Sequence, residues 1–352
     1  MASKTVHVVG TGTIGEPIIG LLAKHRTELG IDEVTFYKHS PRKEDRPMVN
    51  ALRKAGAKLA VADDKRADFE KIGLAPDFSA QAALERAQVV IDCTPEDSGL
   101  ENKDKIYSKL TGDKLFMAQG SEEGFGAMYA LGINDHKVDP AKEKYVHVVS
   151  CNTHTTVRLV HALTKDGDDL EEGRLVLIRR AGDVGDAKFI QAPTVEKHKE
   201  ARGTHHAQDA ANLYKTTLGK DVNLFSSAMK LNTQFMHTAH FHFRLKTPTT
   251  LDGVKKLLQG DKFIGLTEKA ATNLVFSFAR EHGPFGRILS QTVVVTPSLH
   301  VSENGRDLTG YAFTPQDGNA LLSSIAMATR KLHPDDWQKR MSVFDPYLLK
   351  EY

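Results

Sequence analysis

Residues Gly10-Thr11-Gly12-Thr13-Ile14-Gly15 follow directly on Val6-His7-Val8-Val9, which reads as a buried strand, and open onto apolar positions at helical spacing, Ile14, Ile18, Leu21 and Leu22. A G-x-G-x-x-G between a strand and a helix admits few folds, because its geometry serves one task. It turns the chain tightly and brings backbone close to the phosphates of a dinucleotide at a helix N-terminus. Gly10 begins the turn, Gly12 lets the backbone approach a pyrophosphate, and Gly15 lets the helix pack on the strand. The other reading is a tight turn with no ligand.

The pattern that follows favours the ligand. Strand-like segments at 33–38, 58–61, 88–94, 114–120 and 145–151 alternate with helix-like stretches at 48–56, 79–87 and 100–111. Such alternation predicts βαβ units and a parallel sheet. After residue 151 the strands lengthen, at 173–181, 235–246 and as a pair within 287–313 around the Asn304-Gly305 turn signal. Residues 185–232 read as long loops with short helices, and 319–331 as a final amphipathic helix. The expected class is α/β: a Rossmann-like parallel-sheet domain over 1–150, then an α+β catalytic domain over 151–318 with a mainly antiparallel sheet. Residues 319–352 are expected to form a helix and tail packing back on the first domain.

The chain has 352 residues, with 47 Lys+Arg against 45 Asp+Glu. That balance gives no electrostatic footprint for nucleic acid or an anionic membrane. No apolar run reaches the ~20 residues of a membrane span, and no signal-peptide pattern opens the sequence. Two cysteines cannot make a disulfide framework, and they suggest a reducing, cytoplasmic setting with thiols used singly.

Dinucleotide sites for NAD place an acid at the end of the second strand, on the ribose 2′-OH. Here that strand ends Tyr37-Lys38-His39-Ser40-Pro41-Arg42. The acid is missing, and Lys38, Ser40 and Arg42 suit a 2′-phosphate, so NADP is preferred with NAD possible. The alternative is a solvated basic loop. Thr94-Pro95 ends a buried strand on the rim where such a cofactor lies, and Cys93 beside it reads as a core thiol.

Cys151 stands where a strand gives way to a helix, in Val148-Val149-Ser150-Cys151-Asn152-Thr153. The positive end of a helix lowers a thiol pKa and favours thiolate, and first-turn amides can serve as an oxyanion hole. Ser150, Asn152 and Thr153 add side-chain donors. A buried structural cysteine is the alternative, although polar flanks disfavour an apolar niche. A thiolate beside a nicotinamide points to aldehyde oxidation through a thiohemiacetal, with hydride leaving to the cofactor and a thioester remaining. Such chemistry needs a base and donors for the substrate's own group. In Phe235-Met236-His237-Thr238-Ala239-His240-Phe241-His242 a strand puts His237 and Ala239 on one face and His240 and His242 on the other, so one set points inward. Arg179-Arg180 and Thr204-His205-His206 form an anion-binding set suited to phosphate. Histidine clusters also hold zinc, but no second cysteine or carboxylate lies at ligand spacing, so no metal is expected.

At these residues the chain resembles the archaeal-type (type II) phosphorylating glyceraldehyde-3-phosphate dehydrogenases, nearly end to end. The likeness is carried by GTGTIG (10–15), DCTPE (92–96), AQGSE (118–122), VVSCNT (148–153), IRRAGD (178–183), THH (204–206) and MH (236–237). The resemblance implies Cys151 as nucleophile and His237 as its base. It implies substrate contacts from Ser150, Cys151 and Asn152, and His205 and His206 in the phosphate region. Arg180 falls near substrate phosphate or nicotinamide with Arg179 beside it, and Thr13, Ile14 and Gly120 fall on the dinucleotide. A late loop at Gln316 or Asn319 falls on the nicotinamide, and the assembly is a homotetramer. The chain departs from the family where CNTTG reads Cys151-Asn152-Thr153-His154-Thr155, where MHxH has Ala239, and where Ser121 replaces a second glycine. His154 is expected on the surface of a helix first turn.

Together these imply phosphorylating oxidation of glyceraldehyde 3-phosphate to 1,3-bisphosphoglycerate, with a phosphorylated aldehyde and inorganic phosphate as the small-molecule partners. Two readings compete. One is a related reductase of the aspartate-semialdehyde or acyl-phosphate type, whose carboxylate substrate Arg179 or Arg180 could hold. The other is a non-catalytic NADP-binding sensor.

Overall fold

The computed structural model describes residues 3–182 and 192–352. Asp183, the last residue of IRRAGD, and residues 185–191 of the expected loop region lie outside the described residues. The chain divides into two compact units, one of residues 1–131, 138–148 and 321–345, the other of residues 132–137, 149–320 and 346–352.

The first unit is built on an eight-stranded parallel sheet. Its strands are β1 (Thr5–Val9), β2 (Glu33–Tyr37), β3 (Lys58–Val61), β4 (Phe78–Ser79), β5 (Val89–Asp92), β6 (Leu115–Gln119), β7 (Ala127–Tyr129) and β8 (Tyr145–Val148). They run in the order β4-β3-β2-β1-β5-β6-β8-β7. The order reverses at β1, between β2 and β5. Open parallel sheets bind ligands outside the carboxyl ends of strands at such a point. Every residue of β1 is buried, Thr5 and His7 included, so apolar residues fall on both faces of the strand rather than on one. Val9, Val90, Phe116 and Phe125 pack into one core cluster. The helix Leu321–Leu332, which starts two residues later and ends one residue later than the 319–331 expectation, belongs to this unit.

The second unit carries a seven-stranded mixed sheet. Its strands are β9 (Leu170–Arg179), β10 (Thr194–Val195), β11 (Leu224–Lys230), β12 (His237–Leu245), β13 (Ile264–Thr267), β14 (Thr292–Val301) and β15 (Asp307–Thr314). The order is β10-β11-β9-β12-β15-β14-β13. Most neighbours are antiparallel; β11 with β9 and β13 with β14 are the parallel pairs. The strand pair β14–β15 turns where expected, with Gly305 at φ +72°. β11 departs from the reading of 185–232 as loops. Its inward positions are Leu224, Ser226 and Ala228, so small and polar residues blur the alternation that marks a strand. Residues 346–352 also depart from the expected placement with the first domain. They group with the second unit, where Glu351 pairs with Leu266 and Tyr352 joins a cluster with Val293 and Phe313. No described helix is long and apolar enough to cross a membrane.

Two histidines in the first unit's sheet carry a stability cost at low pH. Burial pushes His7 down to about 3, and it also lowers His147, whose ring N–H donates to the Gly120 carbonyl at 2.7 Å. Both stay neutral in the fold and become protonated in the unfolded chain below about pH 6.5. Unfolding therefore takes up protons there, and stability must fall as pH drops. We expect Tm to decline between about pH 6.5 and pH 5, above the range where carboxylates titrate. A flat Tm over that window, followed by circular dichroism, would contradict the burial of these rings.

Candidate functional site

Three strand ends meet in the second unit. β9 ends at Arg179, β12 begins at His237, and β15 ends at Thr314, with His237 opposite Thr314 and Ile178 opposite Thr238. The helix Cys151–Thr164 is tied to the same place. Thr155 Oγ1 donates to the Gln291 carbonyl at 3.1 Å and accepts from Thr314 Oγ1 at 2.9 Å. Asn319, fully buried, donates its side-chain amide to the carbonyls of Cys151 at 2.9 Å and Gln291 at 3.0 Å. The first residue of the helix is thereby fixed against the end of β15.

Ser150 is the N-cap of that helix. Its Oγ accepts from the Thr153 amide and shares a 2.8 Å hydrogen bond with Thr153 Oγ1. Both hydroxyls, expected as substrate donors, are committed to the cap, which is worth about 1 kcal/mol to a helix. Asn152 and His206 meet instead, with Nδ2 of Asn152 donating to Nε2 of His206 at 3.5 Å. His154 departs from expectation. It is fully buried, and its Nδ1 donates to the Ser150 carbonyl at 3.1 Å.

The thiol itself departs from the expected thiolate. Desolvation pushes Cys151 up to about 11, opposed by the charges of Arg179 and Arg180 and by the Asn152 amide, and assisted by Asp317. Burial outweighs the two cations, both of which are paired. Arg180 pairs with Asp317 at 2.9 Å with both side chains almost wholly buried, and Arg179 pairs with Glu196. The expected anion-binding arginines are thus already held by carboxylates that sequence spacing did not connect to them.

The strand alternation resolves as His237 and Ala239 inward, His240 and His242 outward. His237 Nδ1 accepts from the Arg180 amide at 2.9 Å, so the neutral ring carries its hydrogen on Nε2. Burial, then Arg180, Arg179 and Lys230, hold His237 well below its ordinary value. His206 is lowered by burial and by His205, Arg179 and His237, which places those groups around it. Among the described residues three buried polar atoms here lack a partner: Asn152 Oδ1, His206 Nδ1 and Arg179 Nε. Two of these are donors, a set that fits an oxyanion. Gln316 accepts from the His237 amide at 3.2 Å and donates to the Phe235 carbonyl, so it holds the start of β12. Asn319 keeps Oδ1 without a partner.

The first unit has its own constellation. A Cβ on Gly12 would touch nothing within 4 Å, which leaves open space over the loop. Gly10 has φ +99°, and a Cβ on Gly15 would lie 2.1 Å from the Gly10 carbonyl oxygen, so both positions require glycine. No side chain caps the helix Gly15–Lys24 that follows, which includes Gly15 and follows Thr13 and Ile14. Asp92 fixes Thr94 by accepting from its amide at 2.9 Å and its hydroxyl at 2.5 Å, while Pro95 beside it is exposed. Gly120, at φ +86°, is held through His147. Open space over Gly12 beside a helix start with no side-chain cap fits a dinucleotide pyrophosphate. Ser40 is partly exposed, and Lys38, expected to suit a 2′-phosphate, is engaged by Asp45 at 2.7 Å.

Comparison with known proteins places these features in context. No family model matches the chain. Curated relatives do. A protein of Pyrobaculum arsenaticum named glyceraldehyde-3-phosphate dehydrogenase is 31% identical over 303 residues, covering 85% of this chain and 84% of its own. Its namesake in Pyrobaculum calidifontis is 30% identical over 249 residues, 71% of this chain and 68% of its own. One in Methanoregula boonei is 26% identical over 329 residues, 91% and 90% of the two chains.

The charges around the thiol give opposite expectations for two variants. Asp317→Asn removes a charge that raises the Cys151 pKa, so alkylation by iodoacetamide at pH 8 should quicken severalfold. Arg179→Gln removes one that lowers it, so alkylation should slow. Shifts in the same direction would refute this electrostatic account.

Proposed function

Since the chain belongs to the glyceraldehyde-3-phosphate dehydrogenase family, we propose that it oxidises glyceraldehyde 3-phosphate to 1,3-bisphosphoglycerate with NADP, or with NAD, and inorganic phosphate. The observation that carries the reading is the set of unpartnered polar atoms of Asn152, His206 and Arg179 in the same unit as the Cys151 thiol, around a helix N-terminus.

In this reading the Cys151 sulfur bonds the aldehyde carbon. The thiol must first pass its proton to solvent, to which Cys151 is partly exposed, and Arg179 and Arg180 offset part of the desolvation that resists this. His237 presents Nε2–H to the oxygen that gains charge as the carbon–sulfur bond forms. The base role assigned to it from the resemblance needs the other tautomer, with the Arg180 amide bond given up. Asn152 Oδ1 accepts from the substrate's hydroxyl. His206 Nδ1 and Arg179 Nε donate to phosphate, with His205 beside them. When bound, held by the Gly10–Gly15 loop with Thr94 and Gly120, the nicotinamide supplies the hydride acceptor. Phosphate then attacks the thioester carbon and Cys151 leaves as thiolate.

The reading extends to a cytoplasmic homotetramer. An exposed row Val176–His240–Tyr311 crosses β9, β12 and β15, with Val176 39% and Tyr311 42% accessible, and supports an interface on that face.

The test is reduction of NADP⁺ and NAD⁺ by purified protein with glyceraldehyde 3-phosphate, with and without inorganic phosphate. We expect phosphate-dependent reduction, abolished in Cys151→Ser with cofactor binding retained. Turnover by the serine variant, or reduction indifferent to phosphate, would overturn the proposal.

A further inference from the structure

We propose that Asp45 sets the balance between NADP and NAD in this protein, an inference that rests on the cofactor reading above. The chain lacks an acid at the end of β2, where an NAD site places one. The fold supplies one from further along. After Tyr37 the chain passes Lys38 to Arg42, makes a short 3₁₀ turn at Lys43–Asp45, and brings the Asp45 carboxylate back to Lys38 Nζ at 2.7 Å. The Lys38 side chain is 12% accessible and that of Asp45 26%, so this pair is screened less than an ordinary surface ion pair. The Gly10 amide donates to the Tyr37 carbonyl at 3.3 Å, which ties the glycine loop to the residue preceding Lys38.

The geometry has two consequences for a bound ribose. A 2′-phosphate seeking the Lys38 ammonium meets the Asp45 carboxylate, a like charge, at the same nitrogen. A 2′-hydroxyl finds in that carboxylate the acceptor that an NAD site uses. Lys38 retains further N–H donors, since an ammonium has three, so the phosphate is penalised rather than excluded. Asp45 thus moderates the NADP preference that Lys38, Ser40 and Arg42 would otherwise impose.

Calorimetric titration of NADP⁺ and NAD⁺ into the full chain, without substrate, tests this. Asp45→Asn keeps the shape and a hydrogen bond to Lys38 while removing the charge. We expect the ratio of dissociation constants to move about tenfold toward NADP, equivalent to ~1.4 kcal/mol. Lys38→Met should weaken NADP⁺ and leave NAD⁺ within about twofold, well under that 1.4 kcal/mol. An unchanged ratio in Asp45→Asn, or equal weakening of both cofactors, would overturn the role of Asp45. Failure of the wild-type chain to bind either cofactor would instead overturn the reading beneath it.

Discussion

The hydrogen bond from the Arg180 amide to His237 Nδ1 organises the second unit's site. It joins the end of β9 to the start of β12 just beyond the last pair of their shared ladder, Ile178 opposite Thr238. It fixes which nitrogen of the imidazole carries hydrogen, because an amide can only donate. It also orients the backbone from which Arg180 reaches its buried partner Asp317. The site is a junction of strand ends, and its side chains are placed by backbone that the sheet has already committed.

Burial then governs the chemistry. Desolvation disfavours charge on both groups, raising the thiol and lowering the imidazole, so both are held neutral. A helix N-terminus next to two arginines suggests a thiolate only if the arginines are free and the sulfur is hydrated. Glu196 and Asp317 occupy the arginines, and desolvation prevails. The first unit follows the same rule with opposite exposure. Its glycine loop leaves open space over Gly12, and Asp45 offsets Lys38 at the loop's flank.

Much of the fold was legible in the chain. Short, mostly apolar runs mark strands buried on both faces, and G-x-G-x-x-G with strand–helix alternation marks the parallel sheet. The strand period alone limits which histidines can share a face with His237. β11 was missed because Ser226 and Ala228 fill its inward positions. His154 was misplaced because a polar residue in a first turn reads as exposed, whereas its ring donates back to the Ser150 carbonyl and buries.

The sequence by itself determined the elements, the glycine loop, and the placement of Cys151 at a capped helix start, because these depend on residues close along the chain. Tertiary structure decided which carboxylate neutralises which cation, which polar atoms remain unpartnered, and which nitrogen of His237 is protonated. Asp317 meets Arg180 and Gln316 meets the His237 amide only because β15 lies beside β12 in the sheet. Desolvation and pairing depend on neighbours brought from afar, and spacing along one chain does not record them.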